Sequence, residues 1–84
     1  MTVIMYSKPN CSYCVRAKSF MEMRNIEFVE RKVGVDTTRE ELMEAAPNAR
    51  TVPQIFVNGE LVGGYTEFVS YVENTGYTGK GHTL

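Results

Sequence analysis

The chain has 84 residues, 43% of them hydrophobic and with five tyrosines and four phenylalanines, enough for one small core and too few for two. Nine basic residues against ten acidic ones leave a net charge of -1, which excludes the basic footprint of a nucleic-acid binder or of a protein held on an anionic membrane. Two cysteines are too few for a disulfide-dense secreted scaffold, and the N-terminal apolar run is far too short for a membrane span or a signal-peptide core, so a soluble cytoplasmic protein is expected.

Thr2-Val3-Ile4-Met5-Tyr6 is β-branched and apolar without clean alternation, as in a strand covered on both faces of a sheet. Ser7-Lys8-Pro9-Asn10 ends it. From about Ser12 to Arg24, Cys14, Ala17 and Met21 share one helical stripe with Phe20 beside it, while Arg16, Lys18 and Glu22 can face water. Glu27 to Val33 reads as a second strand, left by Gly34 to Asp36. Thr37-x-x-Glu40 and Thr38-x-x-Glu41 both match a capping box ahead of Leu42, Ala45 and Ala46, and Pro47-Asn48 stops that helix. Pro53 to Val57, Asn58-Gly59 and Glu60 to Val62 form a hairpin signal, because Asn-Gly suits a tight type I′ turn. After Gly63-Gly64, a helix from Tyr65 or Thr66 to Asn74 carries Phe68, Val69 and Val72 inward. The order is β-α-β-α-β-β-α, an α/β fold with a four-stranded mixed sheet flanked by three helices. One domain over 1–84 is expected, with 75–84 as a flexible tail.

Both cysteines lie in Lys8-Pro9-Asn10-Cys11-Ser12-Tyr13-Cys14. A bridge between them would close a very small loop of little stabilising value, so a structural staple is a poor reading. Half of a tetrahedral zinc site needs two more ligands, and the only histidine is His82. Two incidental buried cysteines are the other alternative. A C-x-x-C pair in a βαβ context instead points to a thioredoxin-like redox motif. Cys11 stands where a helix begins, near Lys8, so unpaired N–H groups and positive charge should favour its thiolate and lower its pKa. Cys14, a turn deeper on the apolar face, should be shielded. Cys11 is then the attacking sulfur and Cys14 the resolving one. Residues three apart on a helix have Cβ atoms about 5 to 6 Å apart, and a disulfide wants about 3.5 to 4.5 Å, a gap that a non-helical cap position can close.

Tyr6-Ser7-Lys8, Cys11-Ser12-Tyr13-Cys14, Thr51-Val52-Pro53-Gln54-Ile55-Phe56-Val57 and Gly63-Gly64-Tyr65 resemble, in order and spacing, the motifs of glutaredoxins, over about residues 2 to 74. Thioredoxin proper fits less well, since its motif needs a tryptophan and this chain has none. The resemblance implies a thioredoxin-like fold and a glutathione-dependent disulfide oxidoreductase, with glutathione as co-substrate and no obligatory metal. It implies that Lys8, helped by Arg39, holds the glycine carboxylate and that Tyr13 flanks the sulfur. Thr51, Val52 and Pro53 would take the cysteinyl part along a backbone strand, with a cis bond before Pro53. Gly64, Tyr65 and Thr66 would receive the γ-glutamyl carboxylate at a helix N-terminus, Thr66 being otherwise a plain N-cap. Gly64-Tyr65-Thr66-Glu67 departs from the frequent Gly-Gly-x-Asp-Asp pattern, and Ser12 stands where many dithiol relatives carry proline. In some relatives serine or glycine there accompanies a [2Fe-2S] cluster between two subunits, which makes Cys11 a cluster ligand in the alternative reading. The implied partners are disulfide-bearing or glutathionylated proteins, ribonucleotide reductase among the candidates, acting on a monomer with no nucleic acid and no membrane.

Overall fold

In the computed structural model, which describes residues 2–76, the sheet has the order β2-β1-β3-β4. β1 (Val3–Ser7) lies inside it, parallel to β2 (Val29–Lys32) and antiparallel to β3 (Gln54–Val57), which pairs antiparallel with β4 (Glu60–Gly63). The helices are α1 (Ser12–Met23), α2 (Arg39–Ala45) and α3 (Tyr65–Thr75).

The period of two along a strand divides the core. Val3 and Met5 of β1 and Ile55 and Val57 of β3 pack with Ala17 and Met21 of α1 and Phe68 and Val72 of α3. Ile4 and Tyr6, with Phe56, turn to the other face and meet Leu42 and Ala46 beside α2. β1 therefore carries apolar side chains on both faces because both are covered, α1 and α3 on one side and α2 on the other. Fully burying each large apolar side chain contributes about 1.5–3 kcal/mol.

Several boundaries differ from the sequence reading. β2 begins at Val29 rather than Glu27, because its ladder with β1 starts at the Ile4–Val29 pair, while Phe28 packs on the core ahead of it. Of the two capping boxes only the second forms: Thr38 Oγ1 accepts the Glu41 N–H at 3.1 Å and Glu41 Oε1 accepts the Thr38 N–H at 3.0 Å. Thr37 is buried, and its hydroxyl donates to Glu41 Oε1 at 3.0 Å instead of starting a helix. The hairpin turns at Asn58 (φ 53°) and Gly59 (φ 85°), both in the left-handed region that a type I′ turn requires. Thr75 is the last residue of α3 rather than the first of a tail, and Gly76 ends the helix at φ 69°, its N–H donating to the Val72 carbonyl at 2.8 Å. The remainder of the expected tail, 77–84, lies outside the described residues, as does His82.

Candidate functional site

β1 ends at buried Ser7, and Asn10 (φ 61°) turns the Lys8-Pro9-Asn10 loop into α1. Cys11 takes the N-cap position, extended at φ -109° and ψ 108°, and its sulfur accepts the Cys14 N–H at 3.1 Å. Sulfur thus does what a serine or aspartate oxygen usually does at a helix start. The same placement brings the Cα atoms of Cys11 and Cys14 to 5.2 Å, with the two sulfurs joined as a disulfide. Cys14 is 3% exposed on the buried stripe of α1, whereas Cys11 is half-buried at the rim. A helix N-terminus donating N–H groups to this sulfur is the arrangement that stabilises a thiolate once the bond opens.

The second half of the site comes from the entry to β3. The Val52–Pro53 peptide bond is cis, and the Val52 carbonyl oxygen stands 3.6 Å from Cys11 Sγ. The antiparallel ladder sets this meeting, since Tyr6 near the end of β1 pairs with Gln54 at the start of β3. Gln54 is itself buried, and its Nε2 donates to the Thr51 carbonyl at 2.9 Å, tying the loop that carries Thr51 and Val52 to the strand.

Two depressions flank Val52. One, of about 260 Å³, runs between Tyr13 and the start of α3, with Thr51, Val52 and Pro53 along its length and Gly64, Tyr65 and Thr66 at its far end. Tyr13 is 53% exposed, its ring centroid 6.2 Å from that of Tyr65 and the Arg16 guanidinium 5.4 Å above it. The other, of about 280 Å³, gathers Lys8, Arg39, Arg50, Thr51 and Val52. All eleven residues singled out from the sequence therefore lie at Cys11 or along these two depressions.

Thr66 is not the cap of α3. Gly64 occupies that position, and Glu67 Oε1 accepts its N–H at 2.9 Å, leaving Thr66 as the exposed second residue of the helix. Glu67 also lines the first depression. The sequence reading gave it no part there, although Gly64-x-x-Glu67 has the spacing of the N3 half of a capping box. Arg50 was missed as well. Its signal was the plain one of a cation directly ahead of Thr51-Val52-Pro53.

Lys18, expected to face water, donates from Nζ to Glu30 Oε1 at 3.3 Å, and the Ser7 hydroxyl donates to Glu30 Oε2 at 2.7 Å. Burial raises the Glu30 pKa, but the hydrogen bonds from Ser7 and Lys18 and the charges of Lys18 and Lys32 outweigh it, so the carboxyl titrates below its ordinary range. Among the described residues no helix is long and apolar enough to cross a membrane, and no group of three or more His, Cys, Asp or Glu is arranged to hold a metal ion.

The sequence model of the family described as Glutaredoxin matches residues 3–62. Glutaredoxin 1 of Escherichia coli is 37% identical over 82 residues, covering 87% of this chain and 94% of the relative. A probable glutaredoxin of Synechocystis is 40% identical over 63 residues, or 74% of this chain, and the match spans 58% of that relative's length. The NMR structure of reduced E. coli glutaredoxin aligns with a TM-score of 0.74 at 32% identity, over 88% of this chain and 95% of that one. A redox cysteine pair at a helix start, a neighbouring cis-proline loop and these likenesses agree: the chain belongs to the glutaredoxin family, thiol-disulfide oxidoreductases that use glutathione as a substrate.

Proposed function

We propose that the chain reduces protein disulfides and glutathione mixed disulfides, with Cys11 as the attacking sulfur and Cys14 as the resolving one. The observation that carries this reading is the Cys11 sulfur itself, which is half-buried at the N-cap of α1, accepts the Cys14 N–H and stands within reach of the Val52 backbone. Starting from the dithiol, the Cys11 thiolate attacks one sulfur of the substrate disulfide. That bond breaks, and the departing sulfur leaves as a thiolate and takes a proton. Cys14 then gives up its proton and attacks Cys11 Sγ, releasing the second substrate thiol and leaving the Cys11–Cys14 disulfide. Two glutathione thiols return it to the dithiol and become one glutathione disulfide, which balances the two electrons and two protons.

Glutathione lies across Val52 in this reading. Its cysteinyl backbone pairs with Val52 in the manner of strand addition, beside Thr51 and Pro53. Lys8 and Arg39, together with Arg50 of the same depression, attract the glycine carboxylate in this reading. The γ-glutamyl end reaches Gly64, Tyr65 and Thr66 at the start of α3, and Tyr13 walls the sulfur. We take the chain as one domain over 1–84, working as a cytoplasmic monomer, with ribonucleotide reductase among the protein disulfides it can serve. The second reading is a [2Fe-2S] cluster shared by two copies. It rests on Ser12 standing where many dithiol relatives carry proline, and each copy would offer the Cys11 thiolate and a bound glutathione thiolate.

Turnover of a glutathionylated peptide by Cys11→Ser and Cys14→Ser variants tests the assignment. Cys11→Ser should lose about three orders of magnitude or more, as expected when the nucleophile is removed. Cys14→Ser should keep deglutathionylation, because glutathione can resolve the mixed disulfide at Cys11, and should lose reduction of protein disulfides. Equal losses in the two variants would contradict the division of roles. Anaerobic incubation with iron, sulfide and glutathione, followed by visible absorption and a size measurement, decides between monomer and cluster-bridged dimer.

A further inference from the structure

Cys11 is also met by a depression of about 540 Å³ that shares only Lys8 with the two flanking Val52. Its charged lining is Lys8, Lys18, Lys32 and Glu30, three cations against one anion in a chain whose net charge is -1. Glu30 pairs with Lys18 at 3.3 Å and offsets that one charge, which leaves Lys8 and Lys32 as the excess. Asp36 is turned to the Lys32 backbone N–H at 3.1 Å. Lys8 is exposed and follows Ser7, which pairs with Lys32 at the end of β2, so these two cations lie beside each other where the β1–β2 ladder ends.

We propose that this depression receives an acidic stretch of polypeptide next to the disulfide of a protein substrate. The inference rests on the disulfide-reducing function proposed above and names its substrate class. Glutathione is a tripeptide, about 10 Å long when extended, and ends near the sulfur it presents. A protein disulfide carries chain on both sides of its cysteine. Chain laid along Val52 and leaving it on the Lys8 side reaches this basic depression, which borders Cys11 and shares Lys8 with the depression beside Val52. Opposite charges across such a contact raise the encounter rate and select partners.

The test uses two peptide disulfides that differ only in having Asp and Glu or Lys beside the target cysteine, with a small glutathione mixed disulfide as the third substrate. Wild type should reduce the acidic peptide with a kcat/KM about tenfold above that of the basic one, and about 0.5 M salt should close the gap. Lys32→Glu should raise KM for the acidic peptide about fivefold and Lys32→Gln by less, both leaving turnover of the small mixed disulfide unchanged. Equal kcat/KM for the two peptides in wild type, or an equal loss on all three substrates in both Lys32 variants, would overturn the docking proposal. A wild type inactive on the small mixed disulfide would overturn the function on which it rests.

Discussion

Gly63 closes β4 at φ 131°, and a Cβ placed there would come within 2.9 Å of Glu67 Cβ. The backbone conformation strains any L side chain, and the close approach pushes on the residue whose carboxylate accepts the Gly64 N–H. Gly63→Ala should cost about 1–3 kcal/mol of stability. Because Glu67 lines the Val52 depression, KM for a glutathionylated substrate should rise more than kcat falls; a combined denaturation and steady-state measurement reads both. Cys11 shows the same economy, since one sulfur caps a helix and reacts. A serine there keeps the cap and removes the chemistry, so Cys11→Ser should fold normally while losing turnover.

At the scale of elements, α2 is the least self-sufficient part, seven residues held by Leu42 and by its capping box. A helix this short gains little from propensity, so its N-terminal hydrogen bonds weigh heavily. Thr38→Ala should lower stability by about 1 kcal/mol, and because Arg39 follows the cap, a chemical-shift perturbation centred on Arg39 to Leu42 should accompany it. Elements whose signals are local were legible in the sequence. Asn58-Gly59 dictated its hairpin through the left-handed conformations both residues tolerate, and the cysteine pair marked the start of α1. What sequence could not show depended on which side chains meet across elements. The Lys18–Glu30 pair joins α1 to β2, and Arg50 joins Lys8 and Arg39 only because loop and helix converge. The competing boxes at Thr37 and Thr38 were undecided for the same reason: burial of Thr37 settles the choice, and burial is a tertiary fact.

For the whole molecule, two carboxylates contribute to the response to acid. Glu41 titrates low because Thr38 N–H, then the Thr37 and Thr38 hydroxyls, donate to it, and Glu30 titrates low on balance despite its burial. A folded-state pKa below the unfolded one means that the unfolded chain binds more protons between the two values. The stabilisation is therefore fully present above the ordinary value of 4.5 and is lost as pH falls through the lower folded values. Urea midpoints should be flat from pH 7 to about 5 and decline below that. Glu30→Gln, which breaks the pair with Lys18, should lower the neutral-pH stability by about 1 kcal/mol and make the decline shallower. A decline as steep as that of wild type would remove Glu30 from the account.

The Tyr6–Gln54 pairing joins the strand that leads to Cys11 with the strand that Val52 precedes. The loops that carry sulfur and carbonyl are thus both anchored on the central ladder of the sheet. A shift of one residue in that ladder would turn every core side chain to the wrong face, so the apolar pattern of β1 and β3 also guards the reaction geometry. Selection for a well-packed interior and selection for a correctly aimed thiol act here on the same few residues.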